Sequence, residues 1–195
     1  SVKNQPYEKG ELLFREDFSD DLNNWQSEGP VKAELGDGSW KGWMECDTPG
    51  GLTVWLKKKL KSPVMIEYER IAVANRGEND RASDMNVFWM ASDPGNPDNF
   101  FARSDWRNGN FGHYNSLQMY YVGYGGGNNT HCRFRRYARD DSRTLLADYD
   151  HNPHYLIVPS HTYKIQLVAF NGLVQYIRDG EVIFEHRDSD PLKEG

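Results

Sequence analysis

Arginine and lysine are segregated along the 195-residue chain. Between Ser62 and Tyr163 there is no lysine but there are ten arginines: Arg70, Arg76, Arg81, Arg103, Arg107, Arg133, Arg135, Arg136, Arg139 and Arg143. The rest of the chain holds all ten lysines and three arginines. A solvated surface has little reason to separate the two cations. A site for planar carboxylates does, because the guanidinium fork donates two parallel hydrogen bonds and stays charged. The bias therefore points to an anionic ligand. The competing reading is internal ion pairing with Glu67, Glu69, Asp84, Asp93 or Asp105, which fits Arg70, Arg76 and Arg81 best.

These cations must be positioned by strands, in which alternate side chains share a face. Over His131–Tyr137 one face carries His131, Arg133, Arg135 and Tyr137, leaving Cys132 and Phe134 for the core. Over Ser116–Val122, Ser116, Gln118 and Tyr120 share a face, opposite Leu117, Met119 and Tyr121. An antiparallel return through the glycine-rich segment is expected to set Gln118 and Tyr120 beside Arg133 and Arg135. Asn86 and Phe88 alternate with Val87 and Trp89, which adds Asn86 to that face. The expected groove of Arg, Gln, Asn, Tyr and His can grip an acidic sugar and move its protons. A slip of one residue in register reverses every one of these assignments.

Composition narrows the classes. With 29 Asp and Glu against 23 Lys and Arg, the net charge of −6 leaves no basic excess for nucleic acid or an anionic membrane. The longest apolar runs, such as Val64–Ile66 and Leu167–Phe170, fall far short of the roughly 20 residues of a membrane-spanning helix. A soluble monomer is expected, its Ser-Val-Lys-Asn opening lacking any leader, as after removal of a secretion signal. The length suits one domain over 1–195. Only 37% of residues are hydrophobic while 13% are aromatic, a balance that suits a β-sheet protein with a polar, ring-lined surface. Cys46 and Cys132 can form one disulfide or remain thiols, and the thiol reading is preferred.

Strands are expected over Leu12–Phe18, Trp40–Cys46, Leu52–Lys58, Val64–Asn75, Asp84–Ala91, Ser116–Tyr124, His131–Tyr137, Thr162–Phe170, Leu173–Arg178 and Glu181–His186, with no helix of ordinary length. Asn171-Gly172 and Asp179-Gly180 are two-residue hairpin turns that join the last three strands into a meander. The pattern predicts an all-β fold, a two-sheet antiparallel sandwich or a barrel. Asp93–Asn115 reads as a long packed loop, and Gly123–Asn129 as a close backbone approach to a ligand or a wide turn. There is no Gly-x-Ser-x-Gly elbow and no His-Glu-x-x-His helix. A glycosidase using two distant carboxylates stays open, although no pair stands out. His151 and His154 lack a third metal ligand nearby, and Asp140, Asp141, Asp148 and Asp150 read as a solvated acidic turn ahead of a structural calcium site. No cofactor and no catalytic metal are expected.

Phe14-Arg15-Glu16-Asp17-Phe18 with Leu22-Asn23-Asn24-Trp25 resembles the opening of concanavalin-A-like lectin/glucanase domains. Asp84–Ala91, Phe101-Ala102-Arg103-Ser104, Tyr120–Gly126 and Arg133–Tyr137 resemble a family of domains within that superfamily, met among polysaccharide-degrading proteins of Bacteroidota. The resemblance implies a jelly-roll sandwich with a concave sheet, a glycan partner, and a secreted, periplasmic or cell-surface location. That family continues past the equivalent of Gly195 with one more strand, so a last strand is expected to lie outside this chain or to be replaced by another segment. Superfamily members with such grooves include lyases of uronic-acid polymers, which implies β-elimination. In that chemistry Arg, Gln and Asn neutralise the uronate carboxylate while Tyr or His moves protons. On that reading His113 or Tyr120 is the base and Tyr124 or Tyr114 the acid. Asn86, Gln118, Arg133 and Arg135 hold the carboxylate, and Trp89, Arg103, Arg107 and Tyr137 complete the groove. A tyrosine base needs a cation such as Arg135 to lower its pKa. The alternative is a non-catalytic binding module in which Trp89, Trp106, Tyr120 and Tyr124 stack on sugar rings.

Overall fold

The computed structural model describes residues 2–138 and 140–195 and resolves into two compact units. The larger comprises the N-terminal residues through Glu8, Leu60–Pro97 and Asn115–Gly195, and the smaller Lys9–Lys59 with Asp98–Tyr114. In chain order the strands are β1 (Trp25–Glu28), β2 (Glu34–Leu35), β3 (Met44–Glu45), β4 (Thr53–Leu56), β5 (Val64–Ile71) and β6 (Val87–Ser92). They continue as β7 (Gln118–Gly125), β8 (His131–Tyr137), β9 (Arg143–Asp148), β10 (Thr162–Phe170), β11 (Leu173–Arg178) and β12 (Glu181–Arg187).

The larger unit is an antiparallel jelly-roll sandwich of two four-stranded sheets, ordered β12-β11-β10-β5 and β6-β7-β8-β9. Alternation builds its core. Ile165, Leu167 and Ala169 of β10 and Val174 and Tyr176 of β11 point inward and meet Tyr120, Val122 and Tyr124 of β7 and Cys132 and Phe134 of β8. The two hairpin dipeptides form as expected: Asn171, Gly172, Asp179 and Gly180 all have φ between 48° and 86°, the left-handed values such turns require. β10 and β11 are nearly continuous apolar runs because their outer face is covered too. There Gln175, 0% exposed, accepts from the Tyr7 hydroxyl at 2.6 Å and donates to Gln5 at 2.8 Å. At the other end of the chain, Leu60 and Gly195 exchange backbone hydrogen bonds of 2.7 and 3.0 Å.

The smaller unit pairs β1 with β4 and β2 with β3. Leu12–Phe18 is not a strand, and β1 lies in a segment whose Asn-Asn-Trp-Gln-Ser-Glu composition gives no strand signal. The long loop is packed, with 3-10 turns over Phe100–Arg103 and Phe111–Ser116 and a helical turn over Ser104–Arg107. Neither cysteine is in a disulfide, Cys46 being exposed and Cys132 buried, and burial pushes the Cys132 thiol up to about 12. No helix among the described residues is long and apolar enough to cross a membrane.

Candidate functional site: an arginine-bearing sheet face

β8 divides its side chains as the alternation requires. Cys132 and Phe134 enter the core, and Arg133, Arg135 and Tyr137 leave the opposite side of the sheet, where Tyr137 is 0% exposed and so does not line the expected groove. The partner strand falls one residue from the expected register. Tyr121 lies opposite Arg135 and Gly123 opposite Arg133, so the outer face of β7 carries Met119, Tyr121 and Gly123. Tyr120 points inward, 0% exposed, a correction to the expected groove. The return between β7 and β8 sets this offset. It is a wide turn in which Gly125, Gly127, Asn128 and Asn129 all have positive φ, and hydrophobic periodicity within the strands does not count its residues.

Three transverse rows result. Phe88, Tyr121, Arg135 and Leu145 are successive cross-strand partners over β6 to β9, and Met119, Tyr137 and Arg143 form the row beside them. On the other side Gly123, Arg133 and Asp148 align, and Asn86 extends the β6–β7 register to this row. A Cβ on Gly123 would clash with the Tyr121 hydroxyl, so the Tyr121 ring lies back over that glycine. Phe88, Tyr121 and Tyr137 cluster with centroids 5.3 to 6.3 Å apart. Burial pushes the Tyr121 and Tyr137 hydroxyls up despite the neighbouring arginines.

Most arginines prove to be internal. Arg107 is buried in the smaller unit, its Nε and Nη2 donating to both oxygens of Glu28. Arg133 clamps Asp150 through Nε and Nη2 at 2.9 and 2.6 Å, and burial, which would raise the Asp150 carboxyl, is outweighed so that it lies below its ordinary range. Arg136 turns inward to Asp188. Arg70 donates to the Asn86 and Asp84 carbonyls, and Arg81 pairs with Asp84. Arg103 lies over the Trp106 ring at 3.7 Å. Arg139 lies outside the described residues. Arg135 differs: its hydrogen bond goes to the Arg143 carbonyl at 3.0 Å, and no described carboxylate pairs with it. The fork geometry inferred from sequence is real, but the carboxylates it grips are mainly the chain's own.

The proposed acid–base groups fall in different units. His113 and Tyr114 belong to the smaller unit, Tyr120 and Tyr124 to the larger. His113 stacks on Trp106 at 4.0 Å and its Nδ1 contacts the Trp106 carbonyl at 2.6 Å. Arg103 lies over the same ring, so Trp106, 43% exposed, already carries a cation and an imidazole against it. Tyr114 donates to Glu28 at 2.9 Å, and its hydroxyl is pushed up to about 12, chiefly by burial. Tyr120 donates to Asp188 and accepts from the Leu192 N–H, while Tyr124 donates to the Leu156 carbonyl and accepts from Arg178. Burial drives both hydroxyls further up. Trp89 is 3% exposed and stacked on Phe134, so neither it nor Tyr120 or Tyr124 can stack on a sugar. Gln118 sits half-buried opposite Ser92, beyond the irregularity that follows Trp89.

On the outer face of the other sheet, Glu67, read from sequence as an ion-pair candidate, and Glu185, which sequence reasoning missed, accept from Gln166 and Gln175. The two glutamates sit on β5 and β12, the two edge strands of the sheet, and each carboxylate accepts from a glutamine of the neighbouring central strand, β10 or β11. Among the described residues, no group of three or more His, Cys, Asp or Glu is placed to hold a metal.

A family model described as a domain of unknown function (DUF6250) matches residues 46–195. The chain belongs to this family. The DUF6250 match covers β4–β12 and so includes every strand of the sandwich. A solved Bacillus subtilis protein of unknown function with a galectin-like fold is similar at a TM-score of 0.74 and 17% identity, over 97% of this chain and 88% of that one. The DUF6250 chain therefore has a galectin-like fold. A carbohydrate-binding module, CBM66, also from Bacillus subtilis, is similar at 0.49 and 11% identity, over 90% of this chain and 85% of that one. Comparison with curated proteins finds no match.

Proposed function

We propose that residues 1–195 act as one carbohydrate-binding domain, monomeric and located outside the cytoplasm, that holds an acidic polysaccharide or oligosaccharide against the outer face of β6–β9. Arg135 carries this reading. Its guanidinium stands in a row with Phe88, Tyr121 and Leu145, half-buried, with a carbonyl as its hydrogen-bond partner. A uronate carboxylate supplies the acceptor pair that its remaining N–H groups match. Arg143 lies in the adjacent row and raises the local positive potential, and Leu145, 44% exposed, offers an apolar edge to the sugar C–H groups. The galectin-like sandwich agrees with the same reading.

Binding is favoured over β-elimination because, within the larger unit, the candidate tyrosines Tyr120 and Tyr124 are buried in the core and not on the Arg135 face. Tyr121, the tyrosine directly opposite Arg135, has its hydroxyl pushed up by burial. Titrating the full chain with polygalacturonate, alginate and a neutral glucan by calorimetry tests the reading. The acidic polymers bind, the glucan does not, and Arg135→Ala weakens binding about 10- to 100-fold, as expected for one lost charge-assisted contact. Equal affinity for the neutral polymer overturns it. Ultraviolet absorbance of an unsaturated uronate in the same mixtures would restore the lyase reading.

A further inference from the structure

A second cleft lies in the larger unit, where the segment joining β9 to β10 passes the β11–β12 turn. Its volume is about 300 Å³, and its lining includes His154, Leu156, Val158, His161, Arg178 and Asp179. One wall is polar and fixed. The Arg178 side chain is 9% exposed, its Nη1 held by the Tyr124 hydroxyl at 2.9 Å and the His154 carbonyl at 2.8 Å. His154 Nε2 meets Glu181 at 2.9 Å, and His161 Nε2 meets Asp179 at 2.8 Å. Asp179 also accepts from the Lys164 N–H at 2.8 Å, which holds its carboxylate to the start of the hairpin. The other wall is apolar, with Leu156 half-buried and Val158 58% exposed.

Charge separates this cleft from the Arg135 face. One guanidinium stands beside two carboxylates, and Glu181 lies 3.5 Å from Arg178, so the site does not select an anion. Carboxylates used by one or two donors keep lone pairs for hydroxyl groups, while guanidinium and imidazole edges donate. Fixed acceptors and donors facing an apolar wall match a ring with hydroxyls on its edge and C–H groups on its face. The volume sits at the small end for ligand sites, the size of one sugar unit. We infer that this cleft holds a single neutral sugar residue, independently of the acidic-glycan reading for the Arg135 face.

The test uses the full chain with ¹³C-labelled histidine rings, titrated with methyl glucoside, methyl galactoside and methyl xyloside and followed by NMR. At least one glycoside should shift the His154 and His161 signals saturably while those of His113 and His131 stay in place. Asp179→Asn is a mild change, since asparagine tolerates the left-handed φ of 49° at this position, and should weaken that binding about tenfold. Val158→Asp, at an exposed site, should weaken it as well. Arg135→Ala should leave it unchanged while weakening acidic-polymer binding, so either reading can fail alone. Absence of saturable shifts with all three glycosides, or shifts that survive both cleft variants, overturns the inference.

Discussion

In the smaller unit the Arg107 side chain is 1% exposed and closed on the Glu28 carboxylate, whereas on the β8 face Arg135 stays half-buried with a carbonyl as its partner. Glu28 accepts from Trp55, Tyr114 and Arg107 together, so its lone pairs are filled from within the fold. Both sites descend from the same compositional signal, arginine in place of lysine. What separates them is whether the chain itself supplies the opposing charge. A closed fork specifies local packing, and a fork without a carboxylate is left to meet one from outside.

The largest way to sharpen that contrast is to open the closed fork. Arg107→Ala leaves Glu28 buried without its counter-charge, and a loss of about 3–5 kcal/mol is expected in denaturant unfolding. Trp55 fluorescence reports it directly, because its indole N–H donates to Glu28 at 2.8 Å. Tyr120→Phe comes next. It leaves the buried Leu192 N–H without an acceptor and should cost about 1–3 kcal/mol in thermal or chemical unfolding, with acidic-polymer binding intact. Were Tyr120 a catalytic base facing the arginines, binding or turnover would change and stability would not.

A pH experiment probes another closed fork. Burial raises the Asp188 carboxyl, but hydrogen bonds from Arg136, Tyr120 and the Asp190 N–H outweigh it and hold it below the ordinary range. The unfolded carboxylate therefore takes up its proton first as pH falls, near the ordinary value of about 3.9. Stability from this group is present above that pH and lost as pH falls through the lower folded value. Asp188→Asn should reduce stability at neutral pH and flatten the acid limb of the stability–pH curve, measured by urea unfolding. The smallest expected effect on stability is at the open fork: Arg135→Ala should shift unfolding by less than about 0.5 kcal/mol, as for a surface substitution that breaks no ion pair.

The sandwich was legible because β10, β11 and β12 are runs rich in β-branched and aromatic residues joined by Asn171-Gly172 and Asp179-Gly180, whose backbone demands are local. β1 was not, because Trp25–Glu28 is placed by its pairing with β4 and by the Glu28 network, both set by residues distant in sequence. For the candidate site, alternation placed Arg133 and Arg135 correctly on the outer face of β8. Tyr120 was misplaced because register depends on the turn at Gly125–Asn129, and a single-residue offset exchanges Tyr120 for Tyr121. Which arginines were internal could not be read either, since Glu28 is 79 residues from Arg107 and Asp188 is 52 from Arg136.

The most direct measurement is affinity electrophoresis of the full chain through gels containing polygalacturonate, with Arg135→Ala and the Arg135→Ala/Arg143→Ala double variant in neighbouring lanes and a neutral glucan gel as reference. The expected result is retardation of the native chain by the acidic polymer alone, weakened by added salt, reduced in the single variant and abolished in the double. Retardation that persists undiminished in the double variant, or that is equal in the neutral gel, contradicts the assignment of the β6–β9 face as a site for acidic glycans.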